Sequence, residues 1–422
     1  MGLSANSQNV EGIMTFTIEQ LAGALSEGAA GVRLKVELEP LGGKYDKVFP
    51  PTYGVEDSAE TRYAVEVRRG ENGDETTAVA LDSVASQANR HEQALLRAFR
   101  DGDLDIPVTS CDFTGQSGLE AFGRISDLDA PHRIYDAILR DSLDGEVLFR
   151  MGAMGRAITD ASPTDAGALF VHSPTTLVFG GWDSTGPRGG RGSKFERAFT
   201  SEVVAFGVSR GTKTSSRLDP LGVEIKAAQP YEAAKGAWTL SAEEAVKDPK
   251  GNPIKLRPSE INHGNVTPSI DAKAGGVTAE RITATGVLSF VQLRRLRFPT
   301  DGSGTVFVPD EVRSVEVAAR VALAALGICA MVLTFDEGLD LRSRCVLVPT
   351  SGLSFEIVQR DGGVAEFTLT RDQSLALVKA ASQEAARSGL AWRTGEKLLV
   401  PSENLATLVR RSRQLALHDA DT

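Results

Sequence analysis

Apolar and polar residues alternate along this chain in two rhythms, one of period two and one of period three to four, and their order predicts the architecture. Thr17 to Ser26 reads as a short helix, and Val32 to Leu38 alternates apolar with charged residues as a half-buried strand does. Val84, Ala88, Leu95, Leu96 and Phe99 share one side of a helix predicted from Ser83 to about Phe99, with Gly102 as its stop. Its other face carries Ser86, Gln87, Asn89, Arg90 and Arg97, either simply solvated or turned towards a ligand. His132 to Ser142 reads as another short helix, and Ala168 to Phe179 as two strand-like runs broken at Ser173-Pro174. Phe195, Phe199, Val203 and Phe206 follow at steps of four, four and three, which predicts a helix with an aromatic stripe facing the core.

From Gly211 to Asn265 the rhythm weakens and turn formers multiply, at Asp248-Pro249, Gly251-Asn252-Pro253 and Arg257-Pro258, so this stretch is expected to be an inserted hairpin or lobe. Thr283 to Phe298 returns to a strand pattern and ends in Leu293-Arg294-Arg295-Leu296-Arg297-Phe298, read as a basic sheet edge that either holds a nucleic-acid backbone or guards against aggregation. Val312, Val315, Ala318, Ala319, Ala322 and Leu326 predict a helix ending at Gly327. Strands are expected near Ile328 to Phe335, Arg344 to Val348 and Ser354 to Val358, then helices over Asp372 to Arg387 and Ser402 to Leu417. The series implies an α+β body, an antiparallel sheet backed by helices on one face.

Composition narrows the function classes. A chain of 422 residues, 41% hydrophobic and 24% charged, is ordinary globular protein and long enough for a large core. Its net charge of −10 argues against indiscriminate nucleic-acid binding, yet Arg188, Arg191, Lys194, Arg197, Arg210, Lys213 and Arg217 face only Glu196 and Glu202 between residues 188 and 217. Cys111, Cys329 and Cys345 are odd in number and far apart, which fits buried core thiols in a reducing cytoplasm better than disulfides or a metal site. The five histidines show no metal-ligand spacing, and no basic leader or stretch of 18 apolar residues is evident, so secretion and membrane spanning are not expected.

The segment Phe179 to Phe199, FGGWDSTGPRGGRGSKFERAF, is the densest in candidate chemistry. Its glycines let backbone N–H groups approach an anion, and Arg188, Arg191, Lys194 and Arg197 add cations beside the predicted helix start. It is not a P-loop: five residues before Gly192 stands Pro187, and the tail reads Gly192-Ser193-Lys194, with hydroxyl and lysine in the wrong order. Arginines spread along a loop suit a repeated phosphate backbone better than one compact triphosphate. His263 in Ser259 to Asn265 has no partner at a catalytic spacing, so an RNA-contacting or capping role is favoured there over general-base chemistry.

Four blocks are informative together: LDSVASQANR at 81–90, SPTTLVFGGWDSTGPRGGRGSKFERAF at 173–199, PSEINHGN at 258–265 and LRRLRFP at 293–299. Over about Val32 to Ser354 the chain resembles the RAMP-superfamily backbone subunit of the type I-G (formerly I-U) CRISPR surveillance complex. The resemblance implies an RRM-like (ferredoxin-like) palm with inserted thumb or lobe segments, several copies stacking along one guide RNA. Residues 211–265 would be the thumb that pins RNA, between palm parts 1–210 and 266–422. Implied partners are the guide RNA, the target DNA strand paired to it, other copies of the chain, a large subunit, and the subunit that processes and caps the RNA. No cofactor or metal is implied, and type I backbone subunits are regarded as non-catalytic. Arg188, Arg191, Lys194 and Arg197 are the expected phosphate contacts, with Gln87, Asn89, Arg90, His263, Asn265, Arg294 and Arg295 secondary. The RNP aromatic signature of sequence-reading RRMs is missing, so guide binding should be held by backbone contacts. The competing enzyme reading is a metal-dependent ribonuclease cleaving target RNA through Asp183 in GGWDST, as an aspartate does in related type III subunits. A third class is an assembly protein that holds no nucleic acid. Replacing Arg188, Arg191 and Lys194 together with alanine is expected to weaken association with guide RNA of any spacer sequence; unchanged affinity and unchanged complex assembly would remove the loop from the interface.

Overall fold

The computed structural model describes residues 16–56, 58–69, 73–185, 192–223 and 228–420. Thr17 opens α1 (Ile18–Glu27) with a capping box shared with Gln20. In β1 (Gly31–Pro40) Val32, Leu34, Val36 and Leu38 are buried, while Lys35 and Glu37 between them are exposed, so one face must be covered and the other is open. A hairpin, β2 (Val65–Arg69) and β3 (Glu75–Asp82), leads into α2 (Val84–Asp101), which starts at the Ser83 hydroxyl and stops at Gly102, where φ is +83°. After a long insertion come β4 (Phe199–Phe206), β5 (Arg281–Ser289) and α3 (Pro309–Asp336). The chain continues through β6 (Leu339–Arg342), β7 (Cys345–Pro349), β8 (Phe355–Val358), β9 (Val364–Phe367), α4 (Arg371–Arg387) and α5 (Glu403–Ala420).

The main sheet runs β6-β7-β1-β5-β4-β3-β2, with β8 pairing the first half of β1 and β9 lying outside β8. Every pairing in it is antiparallel. Without the β2/β3 edge hairpin, the chain order is β1-α2-β4-β5-α3 and then the β7/β8 pair of short strands. The spatial order is fourth, first, third, second, as in an RRM-like palm. The fold is therefore the expected α+β class, with helices backing a curled antiparallel sheet.

A second, five-stranded sheet joins Pro107–Asp112 in parallel to Gly395–Pro401, bringing a late strand onto the insertion between α2 and β4. From the palm's centre, β4 and β5 run outward as a hairpin. Ser209–Arg210 pairs with Val277–Thr278, and Lys213–Arg217 with Val266–Asp271, whose return strand lies just past residue 265. The intervening stretch carries a small hairpin, Tyr231–Glu232 against Trp238–Thr239.

Several local expectations are overturned. Ala168 to Phe179 is two short helices, Gly167–His172 and Pro174–Phe179, because Pro174 opens a new helix where its missing N–H costs nothing. Continuous apolar runs do not separate buried helix from buried strand by periodicity. His132 to Ser142 holds a 3-10 turn, Arg133–Tyr135, and a single helical turn, Ala137–Arg140. Phe195 to Phe206 holds no helix: Phe195 ends the short strand Lys194–Phe195 and Phe199 starts β4, where a step of four is even, so Phe199 and Val203 share one face as well as they would share a helix side. The LRRLRFP block comes after a strand that is central, between β1 and β4, and a helical turn, Phe290–Leu293, capped by Ser289; from Arg294 to Pro299 the block itself is turn and loop. No basic edge strand exists there.

The largest correction is α3. It runs through Gly327 to Asp336, absorbing the strand expected from Ile328 to Phe335, and an 18-residue window of it reaches a mean hydropathy of 2.1. An apolar stretch long enough to cross a membrane is thus present, but 89% of that window is buried inside the protein, as fits a core helix. Gly327 is a packing notch: a Cβ there would lie 3.0 Å from Leu288 of β5. Gly286 of β5 is its counterpart, with a Cβ placed 2.9 Å from Met331 Sδ. Gly327→Val is expected to lower the unfolding free energy by about 1–3 kcal/mol through overpacking, read by urea denaturation; an unchanged midpoint would mean that α3 can lift from β5 without cost.

Candidate nucleic-acid interface

The glycine loop stands on a two-stranded hairpin, Gly181–Trp182 against Lys194–Phe195, closed by Asp183 N–H donating to Ser193 O at 2.9 Å. Arg188 and Arg191 lie outside the described residues. Lys194 and Arg197 are exposed, and neither forms a hydrogen bond or ion pair among the described residues. Since strand replaces the expected helix, these two cations face no opposing helix dipole and stand at the foot of β4. Trp182 is 55% exposed directly across from Lys194, an aromatic face beside a cation that suits base stacking next to a phosphate.

Under the loop the side chains are fixed. Asp183 is buried and accepts from Arg150 Nη2 at 2.6 Å and from Thr185 N at 3.2 Å, while its Oδ2 has no hydrogen-bond partner. A Cβ at Gly192 would sit 1.7 Å from Asp183 O, so only glycine closes the hairpin. Arg140 and Arg150 both donate to Thr185 Oγ1, at 3.0 and 3.1 Å. One layer deeper, Arg133 grips Glu92 of α2 with two bonds of 2.5 and 2.8 Å and donates to Gly180 O at 2.9 Å. Burial pushes Glu92 up to about 7 against the pull of Arg133. Among the described residues no group of three or more His, Cys, Asp or Glu is placed to hold a metal ion.

The α2 candidates divide. Gln87 is fully buried, donating to Asp82 Oδ2 at 2.6 Å and accepting from Ser201 Oγ at 3.1 Å, so it braces β3, α2 and β4 and presents nothing to a ligand. Arg90 pairs with the same buried Asp82 at 2.8 Å and donates to the carbonyls of Asp340 and Leu341, clamping α2 to β6. Asn89 is exposed and uncommitted among the described residues.

In the projecting hairpin, Asn265 Oδ1 accepts from Asp219 N at 2.8 Å, and Arg217 donates to His263 O at 2.9 Å. PSEINHGN thus builds a turn with Asn262 at φ +58°. The His263 ring is half-exposed, edge-on to Trp238 with centroids 6.1 Å apart, and its Nδ1 lies 4.0 Å from Asp219. Trp238 is exposed and offers an aromatic face suited to stacking; no local pattern pairs it with His263, 25 positions later. Arg294 caps α1 by donating to Ala29 O at 2.9 Å, and exposed Arg295 pairs with Glu196 at 3.0 Å.

The open face of the palm carries a basic cluster of its own. Lys35, Arg68, Arg69 and Arg281 surround Thr283 and Thr285 in a shallow depression of about 230 Å³, with Arg68 held by Glu202 at 2.7 Å. Its signal lay in the charged positions of the β1 alternation. The three thiols are buried, desolvation raising Cys111 to about 11, Cys345 to about 11 and Cys329 to about 12, as core cysteines should be.

Residues 32–210, fewer than half of the chain, match the model of a family described as CRISPR-associated protein GSU0053. No curated protein matches. The match supports a CRISPR-associated protein with a role in CRISPR defence.

Buried Asp127 anchors the insertion that carries the loop, accepting from Thr109 N at 3.2 Å and from Ser173 Oγ at 3.0 Å. Desolvation pushes it up to about 7, past the opposing pull of those bonds. A raised carboxyl binds its proton more tightly folded than unfolded, so its contribution is complete below the ordinary value of 3.8 and is lost as pH rises towards 7. Asp127→Asn cannot titrate. Its stability relative to wild type is expected to improve by about 1 kcal/mol or more between pH 4 and 7, by urea denaturation at each pH; a constant difference would show that Asp127 is ionised throughout.

Proposed function

We propose that this chain is the RNA-binding backbone subunit of a type I CRISPR surveillance complex, of the I-G kind that its sequence resembles. The observation that carries the reading is a hairpin projecting from between the second and third strands of an RRM-like palm, in a chain whose palm half matches a CRISPR-associated family. Copies would stack along one guide RNA in the cytoplasm, the palm holding phosphates and the hairpin of one copy reaching its neighbour. Leu218, Leu221, Leu240 and Ile270 of the hairpin region are strongly exposed, which favours a covering partner there. The guide held in this way would pair with target DNA, and a large subunit and an RNA-processing, capping subunit would complete the assembly.

Within this reading Lys194 and Arg197 remain phosphate contacts, joined by Trp182 and Asn89 and, through their half-exposed rings, His263 and Trp238. Arg188 and Arg191 keep their proposed role from sequence. The acidic total charge is compatible because cations gather on the open palm face and at the loop foot. The subunit is proposed to be non-catalytic, a reading favoured by the burial of Asp183 and its bond to Arg150, which leave that carboxylate poorly placed to reach RNA.

Two measurements test this. The complex purified from its host should show a nuclease-sensitive nucleic-acid absorbance, and a clean protein ratio would favour the assembly-only alternative. Complementary RNA incubated with the assembled complex should stay intact; regular cleavage that Asp183→Ala abolishes would replace the binder by the ribonuclease.

A further inference from the structure

A second concentration of arginine lies away from the glycine loop, where the end of α1 meets the first turns of α3. Arg294, Arg297, Arg313 and Arg320 line a cavity of about 460 Å³ there, and among the described residues the only carboxylate on its wall is Glu316. That carboxylate is buried and shared: Arg297 Nε lies 2.5 Å from one oxygen and Arg320 Nη2 3.0 Å from the other. One negative charge thus serves two guanidiniums. Arg294 is satisfied by carbonyls at the end of α1, which orient it without neutralising it, and Arg313 forms no hydrogen bond or ion pair among the described residues. Asp310 and Glu311 stand in the same first turn of α3 but do not line the cavity.

The excess charge is held under unfavourable conditions. Arg320 is largely buried and its Nε has no acceptor. Desolvation lowers both Arg320 and Arg294, reinforced for Arg320 by Arg297 and for Arg294 by Arg360, while Glu316 opposes the fall at Arg320. Guanidiniums crowded this way gain most from an anion whose oxygens can accept several N–H donors at once, and the start of a 28-residue helix adds its positive end.

We propose that this arginine-lined cavity is a binding site for phosphate groups, and that their source is the backbone of bound RNA. Only the choice of source rests on the RNA-binding reading above. Within LRRLRFP it is Arg294 and Arg297 that line this cavity, and Arg295 does not.

The test compares wild type with Arg313→Glu, whose exposed side chain forms no hydrogen bond or ion pair among the described residues, and with Arg387→Glu, the same charge change on the exposed face of α4. Anisotropy titrations of a mixed-sequence single-stranded RNA over a range of salt should show several-fold weaker binding for Arg313→Glu alone, with the salt slope reduced by about one. Thermal unfolding with inorganic pyrophosphate, against sodium chloride of equal ionic strength, should stabilise wild type and Arg387→Glu more than Arg313→Glu. Pyrophosphate discrimination with equal RNA affinities would keep the phosphate site and assign it a free phosphate ligand. Equal behaviour of the two variants in both titrations would overturn the site. A chain that binds no RNA would defeat the RNA-binding reading while the pyrophosphate comparison still decides this one.

Discussion

The burial of α3 is the constraint on which the rest of the molecule depends. A helix this apolar must be covered on every side, and the chain covers it with β5, α1, α2, α4 and the short helix Pro174–Phe179. Contact is close enough that Gly286 and Gly327 each give way to a side chain of the other element, Met331 and Leu288. Fixing α3 against β5 also fixes the face of the sheet that stays open, and hence where the charged positions of β1 must point. The helical insertion reaches the same core through Pro174–Phe179, so the strand pair Gly181–Trp182 and Lys194–Phe195 that follows is rooted at the centre of the palm.

Much of this was legible in sequence where local signals and tertiary packing agree. α1, α2 and α4 begin at Thr17, Ser83 and Thr370, and hydroxyl caps of this kind are local chemistry that needs no partner. β1 announced itself by alternation. The misread elements are those whose pattern is ambiguous in principle: Ala168 to Phe179 is apolar throughout, Phe199 and Val203 satisfy both periods, and Gly327 resembles a stop because close approach, unlike a turn, leaves no mark on neighbouring residues.

The candidate site was less legible, for a reason rooted in arginine itself. A guanidinium can serve an external phosphate or an internal carbonyl equally well, and sequence does not say which. Arg90 and Arg217 spend their donors on carbonyls of the protein, and Gln87 turns inward to a buried aspartate. The exposed cations, Lys194 and Arg197, are distinguished only by what they fail to touch. Aromatic surfaces such as Trp182 and Trp238 become meaningful only once folding sets them beside Lys194 and His263.

The projecting hairpin grows out of β4 and β5, strands with neighbours on both sides, so its two arms leave from the middle of the palm sheet instead of from its edge. Mechanically this is a lever with a stiff root. A sideways load at its tip is resisted in shear by many backbone hydrogen bonds at once, whereas a hairpin hung from a sheet edge would peel bond by bond. The compliance that remains sits where the pairing is interrupted, between Phe206 and Ser209 and between Arg210 and Lys213, and at the register shift between Ser215 and Arg217, so the arms can bend at these joints while the palm pairs stay closed.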